Sequence, residues 1–306
     1  MPEVLSLMCV HAHPDDESSS TGGTLAKYAA ENVLTSLITA TKGEEGEIRD
    51  PNLRMMPWET LGMVRQKELT LATGVLKVGF VNFLGYRDSG MAGTEANHHS
   101  DAFCNADIEF ATRLLVLNIR KLRPQVLITY NENGGYGHPD HIMCNRVTQA
   151  AFELAADPDF AWDDGEQPWQ PLKLYYIAHS RERQQAAADA LKARGLEDLI
   201  PGRRNYERLG YSDADITTRI DISDYLQIKR KALLCHKSQI TGGRWERMPD
   251  DVMREFYAEE TYIRAISLVD APAKETDLFA GLRDRAVPAD DYSLLFAQPV
   301  GTHFVA

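Results

Sequence analysis

Residues 4–30, VLSLMCVHAHPDDESSSTGGTLAKYAA, decide the fold. Residues 4–10 are a short, mostly apolar run of strand length. A polar turn follows, ending in Gly22 and Gly23, and residues 24–30 are good helix formers. The order is strand, loop, helix.

That order recurs downstream. Residues 33–40 and 78–84 read as strands, each followed by a helix, near 58–73 and 108–122. Residues 126–130 read as a fourth strand with a helix over about 139–156, and residues 172–178 as a fifth strand. Strands alternating with helices of this length predict right-handed crossovers and an α/β, Rossmann-like, mostly parallel sheet with helices on both faces. Beyond residue 180 the alternation weakens. Residues 181–269 mix helices such as 225–235 with strands such as 216–222, and residues 270–306 show no clear period. The expected organisation is a Rossmann-like catalytic domain over residues 1–180 and a smaller mixed α/β C-terminal lobe and tail over residues 181–306.

Composition narrows the function. At 306 residues the chain can bury a large core, and 43% hydrophobic with 25% charged residues is ordinary for a globular enzyme. A formal net charge of -12 disfavours nucleic acid and anionic membrane surfaces as partners, because both demand clustered cations. The start of the chain lacks the basic residues and long apolar core of a signal peptide, and no run is long enough to span a bilayer. Cys9, Cys104, Cys144 and Cys235 form no Cys-x-x-Cys pair, so a reducing cytoplasm is the simpler setting, with Cys144 a small buried apolar residue. Homo-oligomerisation is only the general prior for soluble enzymes.

In an open parallel sheet, ligands bind outside the carboxyl ends of the strands. The unusual polar clusters all fall there: residues 11–17 (HAHPDDE), 43–47 (GEEGE), 87–90 (RDSG) and 134–141 (GGYGHPDH). The first and last combine histidines with carboxylates, the donors that borderline metal ions take, and neither contains sulfur. His13, Asp16 and His141 supply the three ligands of a catalytic zinc while leaving Asp15 free beside them. His138 and His141, three apart at a helix start, can face one cavity. The bland readings are helix capping by Asp15 or Asp16, an exposed acidic loop for Glu44, Glu45 and Glu47, and close packing for Gly22 and Gly23. Arg87 reads as a surface residue or a partner of Asp88. His98, His99, His179 and His303 read as structural or solvated.

These motifs, in this order, resemble the LmbE-like (PIG-L) deacetylases, a family that includes the mycothiol-pathway deacetylase and conjugate amidase. The resemblance covers about residues 4–180, and more loosely residues 232–239 with His236 and Gln239. It implies His13, Asp16 and His141 as zinc ligands and Asp15 as general base; the two-histidine, one-carboxylate donor set itself also admits iron(II). It further implies His138 as the group that stabilises or protonates the reacting centre, Tyr136 on the oxyanion side, and Asp140 as the carboxylate orienting a histidine. Glu47, Arg65 and Asp88 fall where the family contacts sugar hydroxyls.

The implied reaction is metal-assisted hydrolysis that removes an N-acetyl or other acyl group from a small-molecule amino sugar of the glucosamine type. A thiol-conjugate amidase of the same family is the alternative. Ser19 and Ser20 lean towards the deacetylase and residues 142–144 (IMC) towards the amidase. Candidate substrates are an N-acetylglucosaminyl inositol, an N-acetylglucosaminyl malate, a thiol conjugate cleaved as an amide and a simpler chitin-derived sugar. Two readings from other classes stand beside it. A non-haem iron oxygenase shares the two-histidine, one-carboxylate donor set, and a non-catalytic sugar-binding module needs neither a free base nor an open coordination position.

Overall fold

The computed structural model describes residues 4–53, 60–160, 165–200 and 210–283. Seven strands form one sheet: β1 (Ser6–His11), β2 (Leu34–Thr41), β3 (Phe80–Tyr86), β4 (Val126–Thr129), β5 (Lys173–Ala178), β6 (Thr218–Asp221) and β7 (Glu259–Ser267). Their order across the sheet is β3-β2-β1-β4-β5-β7-β6. The first five are parallel, and β7 runs antiparallel to both β5 and β6. Every residue of β1, β4 and β5 is buried, as expected of central strands covered on both faces.

The long helices of this unit are α2 (Gly22–Ala30), α3 (Leu61–Leu76), α4 (Ile108–Leu122) and α6 (Pro139–Leu154), with α1 (Asp16–Ser20) and α5 (Gly134–Gly137) as single turns at strand ends. The chain steps one way from β1 to β3 and the other way from β4 to β5. Right-handed crossovers then place α2 and α3 on one face and α4 and α6 on the other. Accordingly α2 packs on α3 and α4 on α6. The direction reverses between β1 and β4, whose carboxyl ends open a crevice at that switch point.

The helix expected near 58–73 begins at Leu61 and runs to Leu76, with residues 58 and 59 outside the described residues. The strand expected at 78–84 is displaced to Phe80–Tyr86. The reason is the end of α3: Lys77 closes it at φ 58°, and the Val78 amide bonds back to Thr73 O at 3.0 Å, so residues 77–79 make the turn.

Beyond β5 come α7 (Arg181–Ala193), α8 (Leu226–Leu233), α9 (Lys237–Ile240), α10 (Arg244–Arg247) and α11 (Asp250–Phe256). The segment after residue 180 adds β6 and β7 to the same sheet, and α8 packs against α1, α2 and α3. Strand β7 delivers a buried carboxylate to the start of α2. Glu260 Oε1 accepts from Gly23 N at 2.9 Å and Oε2 from Thr24 N at 2.7 Å, with Lys229 Nζ at 2.6 Å as counter-ion. Gly22 and Gly23 therefore serve close packing. A Cβ on Gly23 would lie 2.3 Å from Ile222 Cδ1, and the helix start is already filled by Glu260. The stretch around Glu275 is likewise fastened, since that buried carboxylate meets Lys173 Nζ at 2.5 Å, Arg264 NH1 at 3.0 Å and Tyr175 OH at 2.9 Å. Among the described residues no helix is long and apolar enough to cross a membrane.

Candidate metal centre and active site

The carboxyl ends of β1, β3 and β4 bring His13, Asp15, Asp16, Asp88, His138, Asp140 and His141 together. All of these but Asp15 and Asp16, which are partly exposed, are buried. The order of events in the chain explains the local geometry. β1 ends at His11, the chain turns through Pro14, and Asp15 takes φ 115° and ψ -23° at the start of α1. That φ is uncommon for any residue but glycine. Asp15 makes no side-chain cap to α1, and the Asp16 carboxylate turns back so that Oδ2 accepts from His13 N at 2.9 Å. Helix capping is therefore not what these two carboxylates do.

His13 has carboxylates on both sides. Its Nε2 lies 3.1 Å from Asp140 Oδ2 and 3.4 Å from Asp88 Oδ1, while Nδ1 faces Asp16 Oδ2 at 3.4 Å. Asp140 is itself held by Ser89, whose N–H donates to Oδ2 at 3.0 Å and whose hydroxyl donates to Oδ1. Asp88 accepts from Gly90 N at 2.8 Å and Glu45 N at 3.2 Å. Burial alone would lower the His13 pKa, but Asp88, Asp140 and Asp16 together hold it well above the usual imidazole value. Asp16 shows the converse: burial would raise it, and His141 and His13 hold it well below the carboxylate range.

His141 is fixed from two directions. Its Nδ1 lies 3.1 Å from Gly134 O, which can only accept, so Nδ1 carries the proton and Nε2 the lone pair. The Tyr130 ring stacks on the imidazole with centroids 4.0 Å apart. Nε2 is buried without a hydrogen-bond partner among the described residues and lies 3.5 Å from Asp16 Oδ2. An orphaned imidazole lone pair beside a carboxylate is what a metal cation satisfies, and the nitrogen and oxygen donors suit zinc or iron(II).

Two overlapping sets of side chains are close enough to share an ion. His13, His138 and His141 bring ligand atoms within 4.8 Å of one another, and so do His13, Asp88, His138 and Asp140. Asp16 belongs to neither set at that spacing, yet its Oδ2 lies on the Nδ1 side of His13 together with His141. Asp88 and Asp140 occupy the Nε2 side.

His138 caps α6, its Nδ1 accepting from Asp140 N at 3.2 Å, which leaves Nε2 to carry the ring proton. Burial, reinforced by His13 and His141, lowers its pKa to about 4, so the ring is neutral at pH 7. Asp15 is pushed up to about 6, by burial first and by Asp16 against the opposing pull of Arg65. Tyr136 is half-exposed, its ring edge-on to His141 at 5.0 Å, and burial of its hydroxyl end raises its pKa.

The residues expected to contact sugar divide. Arg65 is buried, donating to Gly43 O at 2.8 Å, to Pro14 O at 2.5 Å and to Asp15 Oδ2 at 3.2 Å, so its guanidinium braces the loop that carries Asp15. Gly43 is required there, at φ 70° with the Arg65 guanidinium 2.2 Å from where a Cβ would stand. Asp88 is beside His13. Glu47 is exposed and lines, with Asp15 and Gln239, a cavity of about 510 Å³. A larger cavity of about 1040 Å³ between α7 and β7 contains none of the clustered residues and shares Ile200, Arg244 and Trp245 with the first. Arg87 pairs with Glu45 at 2.5 Å instead of Asp88, whose carboxylate is turned to His13. His98 and His99 are exposed, and His303 lies outside the described residues.

Sequence reading gave no role to Tyr130, Ser89, Glu17 or His236, the last named only within the loosely similar residues 232–239. Tyr130 directly follows β4 and, besides stacking on His141, accepts from Ala12 N at 2.9 Å and meets His11 Nδ1 at 3.2 Å. Ser89 and Glu17 stood inside the quoted motifs without an assigned task. Glu17 Oε1 lies 2.8 Å from His236 Nε2, both residues fully buried.

Comparison with known proteins places the chain in a family. The family model described as PIG-L, GlcNAc-PI de-N-acetylase, matches residues 8–152. The chain is 41% identical over 297 residues to a mycothiol S-conjugate amidase of Streptomyces coelicolor, covering 94% of this chain and 100% of the relative. It is 42% identical over 288 residues to a 1D-myo-inositol 2-acetamido-2-deoxy-alpha-D-glucopyranoside deacetylase of Catenulispora acidiphila, covering 90% of this chain and 89% of that protein. Among solved structures, the N,N'-diacetylchitobiose deacetylase of Pyrococcus horikoshii superposes with a TM-score of 0.59 at 18% identity, over 86% of this chain and 85% of that chain. The fold alone does not decide the chemistry, since GalB, the 4-carboxy-2-hydroxymuconate hydratase of Pseudomonas putida, superposes with a TM-score of 0.58 at 17% identity, over 88% and 99% of the two chains. Sequence similarity over nearly the whole chain decides the kinship: the chain belongs to the PIG-L family of de-N-acetylases.

Proposed function

We propose that this protein is a zinc-dependent hydrolase that removes the acyl group from the amine of a glucosamine-type substrate, with His13, Asp16 and His141 as metal ligands and Asp15 as general base. The observation that carries the reading is the orphaned, buried Nε2 of His141 beside the Asp16 carboxylate, with a carboxylate of raised pKa, Asp15, next in the chain. His13 fits the set through Nδ1, because Asp140 and Asp88 engage its Nε2. Zinc, or iron(II) in its place, supplies when bound a water that loses its proton near neutral pH and a positive charge for the carbonyl oxygen.

The chain's own groups account for the proton transfers. Asp15 accepts a proton from the attacking water, and a pKa near 6 leaves it ionised at pH 7 yet basic enough for the task. Arg65 keeps that carboxylate aimed. The Nε2–H of neutral His138 and the hydroxyl of Tyr136 are donors for charge developing on the carbonyl oxygen. The departing amine takes a proton held by Asp15 or His138, and products are a free amine and a carboxylate. Glu47, Asp88 and Arg65 are the groups proposed at the sugar, with Arg65 acting chiefly through Asp15.

The relatives divide on the acyl group, one named a deacetylase and the other a conjugate amidase, while the bond broken belongs to the same class. The test is release of primary amine from N-acetylglucosamine derivatives, an N-acetylglucosaminyl inositol among them, and from a cysteinyl-glucosamine conjugate. Chelator-treated protein is compared with the same sample reloaded with zinc or iron(II). Release that returns with metal supports the reading and ranks acyl groups; tight metal binding without release from any member defeats it.

A further inference from the structure

We infer that His236 is a positioning residue for Asp15, acting through the carboxylate of Glu17, so that a residue beyond the stretch matched by the family model completes the catalytic apparatus. The inference rests on Asp15 being the base.

Asp15 stands at φ 115°, a conformation that persists only when its surroundings hold it. Two clamps do so. Arg65 holds the carboxyl group, and Glu17 holds the backbone: Oε2 of Glu17 accepts from Asp15 N at 2.9 Å. The other oxygen of Glu17 accepts from the Ser18 hydroxyl and from His236 Nε2 at 2.8 Å. Glu17 and His236 are both fully buried, 219 residues apart in sequence. A carboxylate so deep in the protein needs a charged or strongly donating partner. Without His236, Glu17 either takes a proton or swings towards water, and both weaken its hold on the Asp15 amide.

His236 makes its side-chain hydrogen bond to Glu17 and not to Asp15, which it otherwise meets only through the field of its charge. Its ring nitrogen is spent on Glu17, and Nδ1 has no hydrogen-bond partner among the described residues. Nor does the turn that carries it depend on the imidazole. The turn between α8 and α9 leads directly into Ser238 of α9, whose N–H and hydroxyl donate to Glu68 of α3 at 2.7 and 2.6 Å and whose carbonyl accepts from Arg49 N, in the loop after β2, at 2.7 Å. A substitution at 236 therefore leaves the main chain anchored while altering one bond to Glu17.

The experiment compares His236→Gln, whose amide keeps a donor where Nε2 stands, with His236→Met, which fills similar volume without one. Metal content, kcat and KM are measured on the reloaded full-length proteins, and hydrogen exchange at the Asp15 amide is followed by NMR in the metal-free proteins. Expected are equal metal content and similar KM in all three. His236→Met should lose about 10- to 100-fold in kcat, the scale of a slightly misplaced catalytic group, and exchange the Asp15 amide faster, while His236→Gln stays close to wild type in both. Equal kcat and equal Asp15 exchange in His236→Met and wild type would overturn the inference, as would parallel losses in the two variants. If the wild type hydrolyses no amide, the assignment of the base fails, and the exchange measurement still decides whether His236 holds Asp15.

Discussion

Nε2 of His13 lies 3.1 Å from Oδ2 of Asp140, and this contact determines which His13 nitrogen is left for Asp16 and His141. With Asp140 held on both oxygens by Ser89, the imidazole is fixed in orientation before any ion arrives. Asp140→Ala should therefore weaken metal binding about 10- to 100-fold, the usual cost of losing a carboxylate behind a ligating histidine. Competition against a chelator of known affinity measures it. Unchanged affinity would mean that His13 binds through Nε2 or not at all.

Asp15 and His13 separate chemistry from metal binding. Asp15→Asn should keep its metal and lose about 10²- to 10⁴-fold in kcat, the range spanned by general-base catalysis. His13→Ala should lose the metal itself. In the wild type kcat/KM should fall as the pH drops and Asp15 takes a proton, with the acidic limb at or just below about 6, because a bound cation adds to the pull of Arg65. Wild-type turnover by Asp15→Asn would remove the proposed base.

The Glu17–His236 pair gives stability a defined pH window. Burial would raise Glu17, but His236 and the bonds from Ser18 and Asp15 hold it below its ordinary 4.5, so its contribution is present above 4.5 and lost as the pH falls through the lower folded value. Burial would lower His236, but Glu17 holds it above its ordinary 6.5, so its contribution is present below 6.5 and lost as the pH rises through the higher folded value. The excess Tm of wild type over His236→Gln should be widest between those two values and shrink on either side. A difference in Tm independent of pH would show that the pair is not ionised.

The five parallel strands and the four loops at their carboxyl ends were legible because each feature is local: a buried apolar run, then a polar turn, then a helical period. His13, Asp16 and His141 announced themselves as donor types at two such ends. What lay between them was not legible. Asp140 and Ser89 meet across 51 residues, and Glu17 and His236 across 219, with no local pattern to mark either pair. β7 was missed for a related reason. Glu260, Thr261 and Tyr262 are buried in succession, which breaks the two-residue alternation of a half-covered strand, and a buried glutamate reads from sequence as surface. Its burial makes sense only once α2 and Lys229 are seen to meet it.

Glu260 is accordingly the place where the C-terminal segment should prove indispensable to the rest. Its carboxylate satisfies two amides at the start of α2 and neutralises Lys229, all out of water. Glu260→Ala strands a buried ammonium and two helix donors together, and loss of one partner from a buried pair costs about 3–5 kcal/mol. Lys229→Met leaves a carboxylate that still has both amides and the Tyr262 hydroxyl at 3.3 Å, so it should cost less. The double variant, with no unpaired ammonium left, should be more stable than Glu260→Ala alone. Urea unfolding of the three proteins and the wild type closes this double-mutant cycle. Strictly additive losses would mean that Lys229 and Glu260 are neighbours without being coupled, and that the carboxylate acts on α2 alone.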